Sequence, residues 1–221
     1  MSSTGRQTKR QAFDYYRTPK EHIRGFMDVL MRDLTEKKDP LMNPVRVLYT
    51  VDPCAGGDAH HGMAYPEVLA EYGGKFLVNT YDIRPDSRAR HKTDYLNANV
   101  TDSQGCAPDL IITNPPFSHA QKIVEKALLD VAEGGLVVML LRLNFLGTQD
   151  RKPFFAAHNP ERIYVHSSRM CFLPEGVFDP KTGKMKKGTD SIEYAHFVWR
   201  KHSNPEFAML KVIDSKKTEN A

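Results

Sequence analysis

Apolar positions along the chain fall into short runs separated by segments of helical spacing. Residues 45–51 (VRVLYTV) form a β-branched, apolar run that ends in Asp52-Pro53. A Gly-rich turn follows, then a helical pattern over residues 64–72. Residues 76–81 (FLVNTY) predict a second strand that ends in Asp82. A short third strand is expected over 93–96 and a fourth over 109–113. Between 119 and 132, Ile123, Val124, Ala127, Leu128 and Val131 repeat at helical spacing, and Gly134-Gly135 stops that helix.

Residues 136–143 (LVVMLLRL) are apolar except for Arg142, which fits a central strand covered on both faces. The pattern then predicts a helix over 150–157, a strand over 162–166, and a final strand over 192–199 (IEYAHFVW). Strands alternating with helices imply an α/β fold, a mostly parallel sheet with helices on both faces. The closing pair of strands is expected to form an antiparallel C-terminal hairpin at one edge. No repeat or linker divides the chain. The simplest organisation is one domain over 13–202, with a flexible N-terminus (1–12) and a C-terminal tail (203–221).

Composition narrows this only slightly. A chain of 221 residues, 40% hydrophobic and 26% charged, has enough apolar surface for one sizeable core and does not have a disordered composition. No window approaches the roughly 18 apolar residues that span a bilayer, and the N-terminal MSSTGRQTKRQ lacks the apolar region of a secretory signal. Cys54, Cys106 and Cys171 are odd in number and share no metal-ligand spacing, which points to a reducing cytoplasm. His60-His61 are adjacent rather than helix-spaced, so no metal is expected. The net charge is +4, and Lys181, Lys184, Lys186 and Lys187 crowd one stretch, which is compatible with a nucleic-acid partner.

Candidate chemistry gathers where the strands end. In open α/β sheets, ligands bind beyond the carboxyl ends of strands. Four predicted strands here end in Asp52, Asp82, Asp94 and Asn114. The turn Asp52-Pro53-Cys54-Ala55-Gly56-Gly57-Asp58 allows close backbone approach. It is neither a phosphate loop nor the dinucleotide G-x-G-x-x-G. A carboxylate at 52 favours an ammonium group. Asp82 suits ribose hydroxyls, and Asp94 suits an amino group of adenine. Taken singly, each aspartate reads better as a helix cap or turn residue. Together they suggest a nucleoside with a charged amino-acid tail.

Asn114-Pro115-Pro116-Phe117 then supplies a site for a planar amine. The Asn114 oxygen and the Pro115 carbonyl can accept its N–H bonds, the prolines remove competing donors, and Phe117 can stack on the ring. Arg142 should pair with a carboxylate or face the mouth of the site. Phe197 and Trp199 read as core, and Cys54 as packing rather than a nucleophile.

With these residues in this order, the chain resembles the S-adenosylmethionine-dependent adenine-N6 DNA methyltransferases, including small phage-type members, over about residues 14–200. The resemblance implies a Rossmann-like methyltransferase fold, S-adenosyl-L-methionine as cofactor, and DNA as partner. In the family, the element matched by Tyr16-Arg17-Thr18-Pro19 helps enclose the methionine part of the cofactor. Asp52, Cys54, Ala55 and Gly56 match the Gly-rich motif, Asp82 and Ile83 the ribose side, and Asp94 and Tyr95 the adenine contact. Asn114 through Phe117 match the catalytic motif, with Asn114 also beside the cofactor. The lysines at 181, 184, 186 and 187 would meet phosphates of a strand whose target base is flipped out.

Two departures stand out. Gly57-Asp58 follows Gly56, so the family's second glycine is missing or displaced. The chain also lacks the extra ~100 residues of highly specific members, so relaxed or short-site specificity is expected. The same four-residue motif serves enzymes that methylate amines in RNA or protein glutamine, and a catalytically inert cofactor-binding module is a further alternative.

Overall fold

Eight strands and four helices account for the regular structure in the computed structural model, which describes residues 17–170, 172 and 192–214. The strands are β1 (Leu48–Asp52), β2 (Phe76–Asp82), β3 (His91–Lys92), β4 (Leu110–Thr113), β5 (Leu136–Arg142), β6 (Arg162–His166), β7 (Tyr194–Arg200) and β8 (Met209–Ile213). They form one sheet in the order β3-β2-β1-β4-β5-β7-β6-β8. From β3 through β5 every pairing is parallel. β7 runs antiparallel to both β5 and β6, and β8 is parallel to β6. The result is a single α/β domain, mostly parallel, with the antiparallel hairpin that the sequence pattern predicts, although β8 rather than the hairpin forms the edge of the sheet.

The helices are α1 (Lys20–Glu36), α2 (Ala64–Leu69), α3 (Ala120–Asp130) and α4 (Lys152–Ala157). Strand side chains alternate between faces, and the core divides accordingly. Leu136 and Val138 of β5 join Ile23, Phe26, Met27 and Leu30 of α1 and Val68 of α2 on one face. Val137, Met139 and Leu141 join Ile123, Val124 and Ala127 of α3 and Phe154 of α4 on the other. Phe197 and Trp199 lie in this second layer, stacked on each other and buried, so they are core.

Four elements differ from the sequence pattern. The third strand is His91–Lys92, and residues 95–97 form a 3-10 turn instead. The helix expected over 64–72 is α2 followed by a 3-10 turn, Ala70–Tyr72. The helix α1, which the pattern reading passed over, buries a stripe at i, i+3, i+4, i+7 spacing. Strand β8 lies within the stretch expected to be a tail. It pairs with β6, and Lys211 bonds Asp33 of α1 at 2.8 Å, with Tyr164 of β6 bonding the same carboxylate at 3.0 Å.

Candidate active site at the strand ends

β1 and β4 are neighbours, so Asp52 and Thr113 end side by side. The Thr113 hydroxyl donates to Asp52 Oδ1 at 2.6 Å, and the Cys54 N–H donates to the same oxygen at 3.2 Å. Asp52 is 1% exposed, and its Oδ2 has no hydrogen-bond partner among the described residues. Burial pushes its carboxyl up to about 7, and the nearby Asp82 charge adds to this against the two donors. A buried carboxylate oxygen left unbonded is unfavourable unless a donor arrives. An ammonium group is a suitable donor, which makes this corner fit the amino-acid tail of S-adenosylmethionine.

The adjoining turn is shaped by two glycines. Gly56 and Gly57 have φ of 69° and 74°, a region L-residues rarely adopt. A Cβ at Gly57 would also sit 3.0 Å from Arg88 Cβ. Asp82, at the end of β2, pins the turn: its Oδ2 accepts from Gly56 N–H and its Oδ1 from Arg84 N–H, each at 2.8 Å. The Arg84 guanidinium donates to the Gly57 carbonyl at 2.7 Å. Consecutive glycines thus perform the tight bend without a further glycine at 58, where Asp58 closes a local turn onto the His60 and His61 N–H groups. Ala55 is buried. Cys54 is half-buried, and burial pushes its thiol up, away from reactivity.

Farther along the rim the fit is uneven. Ile83 is 54% exposed beside Asp82, an apolar surface that a flat ring could cover. Asp94, however, accepts from Leu96 N–H and Asn97 Nδ2, both at 3.0 Å, and so caps the 3-10 turn. Tyr95 is buried with its hydroxyl on Asp130 at 2.8 Å, under Lys126. Both side chains therefore have structural employment of their own.

The segment after β4 brings distant parts of the chain together. Asn114 Nδ2 donates to Thr18 Oγ1 at 3.0 Å, and Thr18 is buried just ahead of Pro19, which starts α1. Pro115 is buried and Pro116 half-buried; the Pro116 carbonyl accepts from His119 N–H as α3 begins. Phe117 is half-buried, its ring 5.9 Å from that of Tyr194, in a small cluster with Leu140, Met170 and Phe172. Over the Phe117 ring lies Arg142, 4.5 Å from its centroid. Arg142 thus meets an aromatic face, and no carboxylate pairs with it among the described residues.

Thr18, Asp52, Asn114 and Phe117 sit along one rim, whereas Tyr16 and the lysines at 181, 184, 186 and 187 lie outside the described residues. Sequence reasoning missed Tyr194, whose register opposite Arg142 places it at the same edge. It also missed a buried chain on the α1 face. Tyr65 Oη lies 2.9 Å from His196 Nε2, whose Nδ1 lies 2.8 Å from His166 Nε2; His22, in edge contact with His166, bonds Ser168 at 3.2 Å.

No protein-family model and no curated protein matches this chain. Solved structures are similar in three dimensions. One, from Listeria monocytogenes, is described as a class I S-adenosylmethionine-dependent methyltransferase; it superposes with a TM-score of 0.58 at 16% identity over 98% of this chain and 69% of that one. Another, the methyltransferase subunit of a type I restriction-modification system from Streptococcus thermophilus, gives 0.58 at 11% identity over 90% of this chain. The chain spans 47% of that subunit. At these identities the likeness concerns the fold alone: a Rossmann-like, mostly parallel α/β sheet such as those two structures contain.

Proposed function

We propose that the chain transfers a methyl group from S-adenosyl-L-methionine to the exocyclic amino group of adenine in DNA, with relaxed or short-site specificity. The observation that carries this reading is the orientation of Asn114. With its amide nitrogen bonded to Thr18, the side-chain oxygen is turned away as an acceptor. An amide oxygen at this strand end is what a planar amine needs in order to bind by its N–H.

Such an amine is a weak nucleophile because its lone pair is delocalised into the ring. Accepting its N–H bonds at Asn114 and the Pro115 carbonyl draws that pair out of conjugation and stabilises the positive charge that develops on nitrogen. When bound, the cofactor supplies the electrophilic methyl. Asp52 holds the ammonium of its tail, while the Gly56-Gly57 bend, Asp82 and Ile83 border its nucleoside, with Asp94 and Tyr95 at the far end. Phe117 borders the acceptor ring, and the four lysines at 181–187 hold phosphates. The descriptions of the two similar folds support methyl transfer as the reaction class.

The test uses cofactor labelled in its methyl group, offered with DNA, RNA or a protein extract. Label is expected in DNA as N6-methyladenine. Label confined to RNA or to protein glutamine would replace the DNA reading, and cofactor binding with no product on any acceptor would favour an inert module.

A further inference from the structure

Arg142 ends β5, whose six other positions are all buried. Its guanidinium lies over Phe117, and its Nε is buried with no hydrogen-bond acceptor. No carboxylate forms an ion pair with it among the described residues. A half-buried cation without a counter-ion is unfavourable, and stacking on an aromatic face offsets only part of that. The problem sharpens if a sulfonium binds nearby, because like charges repel. The rim beside the proposed acceptor ring thus carries a flat, five-donor cation in need of an anion.

That fork geometry suits the paired oxygens of a phosphate diester. A glutamine side chain, being neutral, offers no matching charge. We propose that Arg142 recognises a backbone phosphate next to the acceptor base, which makes a polynucleotide the substrate class of this site. The inference rests on the methyl-transfer reading and deepens it.

The test measures methyl incorporation into a single-stranded oligodeoxynucleotide with one adenine, across a salt series, alongside direct titration of cofactor. Arg142→Gln should raise the acceptor KM about tenfold and lower the slope of log KM against log salt by about 0.7, the share of one phosphate on a single strand. Arg142→Lys, which keeps the charge, should keep the slope. Cofactor affinity should be unchanged in both, which also reports that the fold is intact. A fall in kcat with an unaltered slope would show that Arg142 only holds Phe117 and would overturn the proposal. So would a loss of cofactor affinity, which would assign the cation to the carboxylate of the cofactor tail. Those failures leave methylation of DNA by the unsubstituted protein in place. If the unsubstituted protein labels a glutamine peptide and no oligonucleotide, the reading of function fails as well.

Discussion

Thr18 and Asn114, 96 residues apart, meet through a 3.0 Å hydrogen bond from the asparagine amide to the threonine hydroxyl. The bond joins the entry of α1 to the exit of β4, so one side chain fixes how the other presents its oxygen.

Removing that oxygen should disable chemistry and spare binding. Asn114→Ala is expected to lower kcat by about 100-fold or more, the usual effect of deleting a group aimed at developing charge, with cofactor affinity within a few fold. Thr18→Val should have a smaller effect, about tenfold, the equivalent of one hydrogen bond. Steady-state rates with labelled cofactor, paired with equilibrium titration, separate the two effects. Unchanged turnover in Asn114→Ala would remove it from the mechanism.

If Asp52 holds the ammonium of the cofactor as proposed, cofactor binding should depend on pH. Its carboxyl is raised from 3.8 to about 7, mainly by burial. The protonated form is therefore favoured in the fold, and the stability it contributes is complete below pH 3.8 and lost as pH rises to about 7. An incoming ammonium requires the ionised form, so affinity should rise between about pH 6 and 8, with proton release on binding. Calorimetry in buffers of different ionisation enthalpy measures that proton. Asp52→Asn keeps the Thr113 acceptor and should stabilise the free protein at pH 8, by on the order of 4 kcal/mol at most, while weakening cofactor binding. Affinity independent of pH would count against the assignment.

The buried histidines act in the opposite sense. Burial lowers all three, His166 to about 3 and His196 well below its ordinary 6.5, with His22 also lowered. The unfolded chain takes up protons below about pH 6.5 that the folded one refuses, so their contribution falls as pH drops from 6.5 toward 3. Each such group can contribute a slope of about 1.4 kcal/mol per pH unit, which outweighs the single opposing carboxylate. Urea unfolding between pH 7.5 and 5 should show a net loss of stability, and His196→Gln should flatten it. A midpoint constant across that range would contradict the buried, neutral assignment.

Gly57 tests the turn. Gly57→Ala combines a positive φ with a Cβ 3.0 Å from Arg88. It should cost about 1–3 kcal/mol of stability and weaken cofactor binding more than Gly73→Ala, which also has positive φ but meets nothing within 4 Å. Thermal unfolding and cofactor titration of both variants make the comparison; equal losses would mean that backbone strain alone is felt.

What could be read beforehand followed local signals. Residues 162–166 form a strand with the bounds their pattern predicts, and Leu136 through Leu141 are buried on both faces as their continuous apolar run implies. Helix α1 had the right spacing but weak boundaries: Pro19 precedes it with no side-chain cap, and no glycine stops it. Strand β8 has mostly exposed side chains and owes its conformation to pairing with β6 and to the Lys211–Asp33 contact. His22, His166 and His196 share no period and meet only through folding. For Arg142 the sequence marked the anomaly, but a π-face leaves no charge signature by which to name it as partner.

The reversed course of β7 has a mechanical consequence at the rim. Because β7 opposes β5 and β6 in direction, β6 leaves the sheet and β7 enters it at the rim that carries Asn114 and Phe117. Phe172 and Tyr194 clasp there with ring centroids 4.8 Å apart. That ring contact ties the segment after β6 to the first residue of β7, so the two strands are held at the rim by side chains as well as by backbone pairing. If the rim receives the acceptor as proposed, a change at Phe172 or Tyr194 would be felt by substrate contact and by the sheet together.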